Sequence, residues 1–126
     1  HRTQEIVRQV LAEDFSADPG GLPGNDDAGA TSAWYVLAAL GLYPVAPGDG
    51  VYQLSSPLFE RATLHLDPAI YDGGTFVIEA PGSGADAPYI TSATLNGQAV
   101  TGTSITHADV VAAGTLSLEM ASEPAR

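Results

Sequence analysis

Gly24-Asn25-Asp26-Asp27-Ala28-Gly29-Ala30-Thr31-Ser32-Ala33-Trp34-Tyr35 is the stretch on which the reading of this chain turns. Two adjacent carboxylates lie in a glycine-bounded turn, and an almost wholly apolar run follows at once. The pattern predicts a helix from about Ala28 to Leu40, stopped by Gly41, with Pro44 soon after. Ala33, Trp34, Val36, Leu37, Ala38, Ala39 and Leu40 leave it no polar face, and a helix of that kind is enclosed on every side. One other helix is legible here, so the remaining neighbours are expected from sequence outside these residues. The chain opens on His1, and its one methionine is Met120, which leads to the same expectation of a piece of something larger.

Upstream, residues 3–15 have helical spacing. Ile6, Val7, Val10, Leu11 and Phe15 fall on one face, with Glu5, Arg8, Gln9, Ala12 and Glu13 opposite, and Thr3 is the expected N-cap. Between the two helices, two prolines and three glycines in residues 16–24 exclude regular structure. Downstream of the loop at 46–50 the period changes to two. Strands are expected at Val51–Leu54, Ala62–Leu66, Thr75–Glu79, Tyr89–Leu95, Gln98–Val100 and Thr115–Met120, and Asn96-Gly97 is a strong hairpin signal. The fold class is therefore α+β: two helices, then a small antiparallel β segment.

Composition narrows the partners. Fifteen carboxylates against four arginines and no lysine give a formal charge of −11, which disfavours nucleic acid and anionic membrane surfaces. The longest apolar stretch, Ala33 to Leu42, is about half the roughly 20 residues of a membrane span. Without cysteine there is no disulfide framework and no thiolate metal site.

From the residues alone, the acidic turn admits three roles. A carboxylate beside a helix N-terminus can cap it, bind a metal or act as a general base, and the cap is the most economical reading. The spacing does not fit a helical-hand calcium loop. Trp34 and Tyr35, inside an apolar helix, read as core rather than as a sugar platform. His65 and His107 have no partner at metal spacing and read as structural. Glu60 is placed to pair with Arg61 or to cap a turn, and Ser32 and Ser56 lack the setting of a nucleophile.

The turn, together with Ser32-Ala33-Trp34-Tyr35-Val36 and Ala39-Leu40-Gly41-Leu42-Tyr43-Pro44-Val45, resembles the end of the catalytic region of glycoside hydrolase family 92. Weaker likeness runs through Tyr52, Ser56-Pro57-Leu58-Phe59-Glu60, Leu95-Asn96-Gly97, Ile105-Thr106-His107 and Gly114-Thr115-Leu116. The resemblance implies a calcium-dependent, inverting exo-α-mannosidase, a glycan-hydrolysing enzyme, extracellular or periplasmic. It implies residues 1–45 as the last helices of an (α/α)6 barrel carrying the active-site loop, the apolar helix inner and the other outer. Residues 46–126 would be the C-terminal β segment on that barrel.

Inversion needs two carboxyl groups roughly 6.5–9.5 Å apart, so adjacent Asp26 and Asp27 can supply only one of them. Aligned on Gly29, Asp27 takes the family's base position, with Asp26 the runner-up. Asn25 stands where some members carry a second aspartate and is assigned to substrate binding. The general-acid glutamate and the upstream catalytic region lie outside these residues, and no calcium ligand is identified. Some members of the family cleave mannose-1-phosphate diesters, which is one alternative. A non-catalytic carbohydrate-binding or interaction module is the other.

Overall fold

The computed structural model describes residues 1–125. Helix α1 spans Arg2–Glu13 and helix α2 spans Ala30–Leu40. Strands β1 (Leu42–Tyr43), β2 (Val51–Leu54), β3 (Arg61–His65), β4 (Thr75–Glu79), β5 (Tyr89–Leu95), β6 (Gln98–Ala99) and β7 (Ser104–Thr106) follow. The short helix α3 (His107–Val111) and strand β8 (Gly114–Ala121) complete the order.

The expected N-cap of the first helix is corrected. Thr3 lies inside α1, and His1 stands at the cap position without a side-chain bond. The first turn is held sideways instead. The Tyr89 hydroxyl donates to Glu5 Oε1 at 2.9 Å, and Ile90 N–H donates to Gln4 Oε1 at 2.8 Å. Glu5 also pairs with Arg2 at 2.7 Å. Arg2 first, then the Tyr89 hydroxyl, holds the Glu5 carboxyl below its ordinary range.

Part of the polar face of α1, at Glu5 and Arg8, is thus a docking face, while Gln9, Ala12 and Glu13 stay exposed. Its centre is Arg8, whose guanidinium donates to Ser56 Oγ at 2.8 Å, to Ser83 Oγ at 2.6 Å and to the Pro57 carbonyl. Ser56 is fully buried. Burial pushes the Arg8 guanidinium below its ordinary value, and neutral oxygens rather than a carboxylate compensate it. Of the predicted apolar face, Leu11 is buried while Ile6 is 45% exposed.

Helix α2 starts two residues later than the pattern predicts, because Asp27, Ala28 and Gly29 all have positive φ, at 50°, 57° and 96°. It ends as predicted at Gly41, whose φ is 81°. A Cβ there would also come within 2.7 Å of the Ser55 carbonyl oxygen, so both backbone conformation and space demand glycine. Among the described residues the helix is not enclosed: Ala38 and Ala39 are buried, but Val36 is 57% exposed. Its inner side meets an aromatic group, with Phe15 stacked on Trp34 at 5.8 Å and Trp34 edge-on to Tyr43 at 6.4 Å.

The β portion forms two sheets around one core. The smaller has strand order β1-β2-β7 and the larger β3-β4-β8-β5-β6. Phe76, Ile78, Leu116 and Leu118 from the larger sheet bury fully against Leu42 and Ile105 from the smaller, with Val110 of α3 closing the end. Alternation on β4 and β8 places those four side chains as the sequence period predicts. The Asn96-Gly97 hairpin is present with both residues at positive φ, 49° and 79°, as a tight turn of the mirror-image type requires.

The all-antiparallel expectation is corrected at one pair. Strand β4 runs parallel to β8, with Ile78 opposite Leu116, since the chain crosses through β5, β6, β7 and α3 before returning. The described residues hold α1, α2 and the five-residue α3, so no closed ring of helices is contained in them.

Candidate active site

The acidic turn is built by backbone carbonyls that receive the first free N–H groups of α2. The Asp26 carbonyl accepts from Gly29 N–H at 3.1 Å and from Thr31 N–H at 3.0 Å, and the Asp27 carbonyl accepts from Ala30 N–H at 3.2 Å. Thr31 Oγ1 donates to the Asn25 carbonyl at 2.9 Å, tying the start of the turn to the helix. Left-handed backbone at Asp27 and Ala28 costs roughly 1–2 kcal/mol each. Aspartate tolerates this region better than most side chains, and alanine does not.

The two carboxylates have different occupations. Asp26, half-buried, accepts from Ser32 N–H at 2.9 Å, so it satisfies one of the N–H groups that a helix start leaves open. Asp27 is exposed, and its carboxylate accepts no hydrogen bond from the described residues. Asn25 is exposed beside them. Sequence reasoning set the cap reading against catalysis for the turn as a whole; the geometry divides the two residues instead. Asp26 is the cap, and Asp27 is left presented to solvent.

The remaining candidates fall as follows. Tyr35 and Trp34 are half-buried against Phe15, at 4.9 Å and 5.8 Å between ring centres, so they are packed rather than displayed. Tyr35 and Phe15 also line a groove of about 570 Å³ with Leu22 and Val36. Ser32 Oγ donates to the Gly29 carbonyl at 3.3 Å. Glu60 does not pair with Arg61: it accepts from Gly82 N–H at 3.1 Å, while Arg61 pairs with Glu79 directly across β3 and β4. His65 lies on the exposed side of β3.

Two constellations escape sequence reasoning. Arg8 reads as one charge on a solvated face, and only Ser56, Pro57 and Ser83, remote in sequence, reveal its role. His107, Tyr52 and Tyr71 come together from three separate segments, with no spacing signal to announce them. Among the described residues no three His, Asp or Glu side chains gather as a metal site requires. Calcium takes six to eight oxygen ligands, so these residues do not by themselves fit a calcium site.

The comparisons with known proteins cover both the helical and the β parts. A family model described as the glycosyl hydrolase family 92 catalytic domain matches residues 1–122. The chain belongs to glycosyl hydrolase family 92. A solved family 92 inverting mannosidase from Bacteroides thetaiotaomicron is 43% identical, with a TM-score of 0.86 over 98% of this chain and 16% of its own. A family 92 α-mannosidase from the same organism, solved with mannoimidazole, is 28% identical, with a TM-score of 0.86 over 96% of this chain and 15% of its own. A protein of Arthroderma benhamiae described as an uncharacterized secreted glycosidase is 36% identical over 109 residues, 86% of this chain and 14% of that protein. The chain thus spans only 14–16% of the length of these family 92 relatives. No helix among the described residues is long and apolar enough to cross a membrane.

Proposed function

We propose that this chain supplies the general-base side of a family 92 inverting exo-α-mannosidase, with Asp27 as the base. The observation that carries this reading is the division of work in the turn. Asp26 is committed to the Ser32 N–H, whereas the Asp27 carboxylate, on a braced and strained backbone, has no partner among the described residues. Asp27 would take a proton from a water as that water attacks the anomeric carbon of a terminal α-mannose. The departing glycan oxygen would receive its proton from an acid contributed by the upstream catalytic region. Asp26 would position Asp27, and Asn25 would offer its amide to the sugar.

The helices α1 and α2 would be the last two of the (α/α)6 barrel, with residues 46–126 as the β segment upon it. Exposed Val36 on α2 and Leu22 in the loop before it support this placement, because both need apolar neighbours. Calcium is proposed for the complete enzyme, with ligands beyond the described residues, and no step here is routed through it. The secreted description of the fungal relative supports an extracellular or periplasmic site of action.

The test is Asp27→Asn in the complete enzyme. Mannose release from an α-linked mannobiose should fall by about 100-fold or more. Near-normal release would overturn the assignment.

A further inference from the structure

Away from the acidic turn, His107 sits between two tyrosines. Its Nδ1 is 3.1 Å from the Tyr52 hydroxyl, and its Nε2 is 3.5 Å from the Tyr71 hydroxyl. The ring centres lie 6.1 Å and 6.0 Å apart. Beside them opens a cleft of about 430 Å³ lined by Pro44, Pro47, Gly48, Gly50, Tyr52 and His107. That volume is in the range of small-molecule sites. The wall is stiff: two prolines restrict the loop, Asp49 Oδ1 accepts from Val51 N–H at 2.8 Å, and the Gly50 carbonyl accepts from His107 N–H at 2.7 Å.

The chemistry of the cluster, of which Tyr52 and His107 line the cleft and Tyr71 lies behind the ring, selects a class of ligand. A neutral imidazole offers one donor and one acceptor. One tyrosine hydroxyl therefore donates to the ring, and the other accepts from it and keeps its own proton to give outward. The cluster shows apolar ring faces together with both hydrogen-bonding senses, which matches a pyranose, apolar on its C–H face and hydroxylated at its rim. No cationic side chain lines the cleft, and the chain carries a charge of −11, so an anionic ligand such as a phosphate is disfavoured.

Position connects the cleft to the turn. Tyr43 packs on Trp34 and shares a hollow with Ala30 and Thr31, the first residues of α2. Tyr43 thus joins the start of α2 to the segment whose next residue, Pro44, begins the cleft wall.

We propose that the cleft beside the Tyr52–His107–Tyr71 cluster is a subsite for a neutral sugar residue of the glycan, further along the chain than the bond that is cut. This rests on the mannosidase reading above. The test compares kcat/KM for an α-linked mannotetraose with kcat/KM for an aryl α-mannoside, in the complete enzyme. His107→Ala should lower the ratio about tenfold, through KM rather than kcat. Gly48→Leu is a second probe that leaves the ring cluster intact. A Cβ at Gly48 meets nothing within 4 Å, so the new side chain can occupy the cleft without backbone clash. It should lower the same ratio. An unchanged ratio in both variants, or equal losses on both substrates, would overturn the subsite. Asp27→Asn on the aryl mannoside examines the turn alone, so failure of the base assignment and failure of the subsite give different results.

Discussion

Replacing Asp26 with alanine separates the brace of the turn from its chemistry. The Asp26 carboxylate accepts one backbone N–H, from Ser32 at 2.9 Å, at the third residue of α2. Losing such a cap costs about 1 kcal/mol. The lost charge beside the positive end of the helix dipole adds about 0.3–1 kcal/mol. The sum, between about 1 and 2 kcal/mol, corresponds to roughly 5- to 30-fold less amide protection in the first turn of α2. Hydrogen exchange on the complete enzyme reads this locally, where a single melting temperature for a multidomain protein would not. Asp26→Asn is the decisive partner variant. Asparagine caps as well as aspartate but carries no charge, so protection should return to within about 2- to 5-fold of wild type. If Asp26 acts only by holding Asp27 in place, turnover should return with it. Recovery of protection at Ser32 without recovery of turnover would refute the reasoning and move the base to Asp26.

Arg8→Met should loosen α1 from the β portion. Fully buried Ser56 Oγ would lose its guanidinium donor, whereas the Pro57 carbonyl keeps the Ser83 hydroxyl at 2.6 Å. The expected loss is about 2 kcal/mol, or roughly 30-fold in protection of the α1 amides, and unchanged protection would contradict it. The start of α3 should depend on pH. Thr106, through its side chain and then its backbone N–H, holds the Asp109 carboxyl below its ordinary range. Its contribution is therefore complete above the unfolded carboxyl value of about 4 and lost as pH falls through the lowered folded value. Amide exchange at His107–Asp109, corrected for intrinsic rate, should accelerate in that window, and Thr106→Val, which removes the hydroxyl but keeps the backbone N–H donor at 2.7 Å, should weaken the dependence.

The strands were legible because burial on one face imposes alternation. Thr75–Glu79 and Val51–Leu54 begin and end where the sequence period places them, and Asn96-Gly97 fixes its hairpin through positive φ at both residues. The parallel pairing of β4 with β8 was not legible, since both sides of a pair alternate alike whichever way the strands run. Strand β7 and helix α3 are too short, at three and five residues, for periodicity to register. At the acidic turn the residue types and their position before α2 were readable. The assignment of cap to Asp26 was not, because it depends on Asp27, Ala28 and Gly29 turning left-handed, which delays the helix by two residues. Arg8 illustrates the same limit on α1: amphipathic spacing says which face is polar, but not whether water or Ser56 will meet it.

Strand β8 lies at the centre of the larger sheet, yet it follows every one of its partners in sequence. On a ribosome, β3, β4, β5 and β6 emerge before the strand that joins them, so two open edges must wait for it. Segments waiting in that way attract chaperones and invite pairing with other chains. A premature stop codon shortly before Gly114 would therefore remove the spine of the sheet rather than its fringe. Through Arg8 and the Ser83 loop, which follows β4, it would also unseat α1.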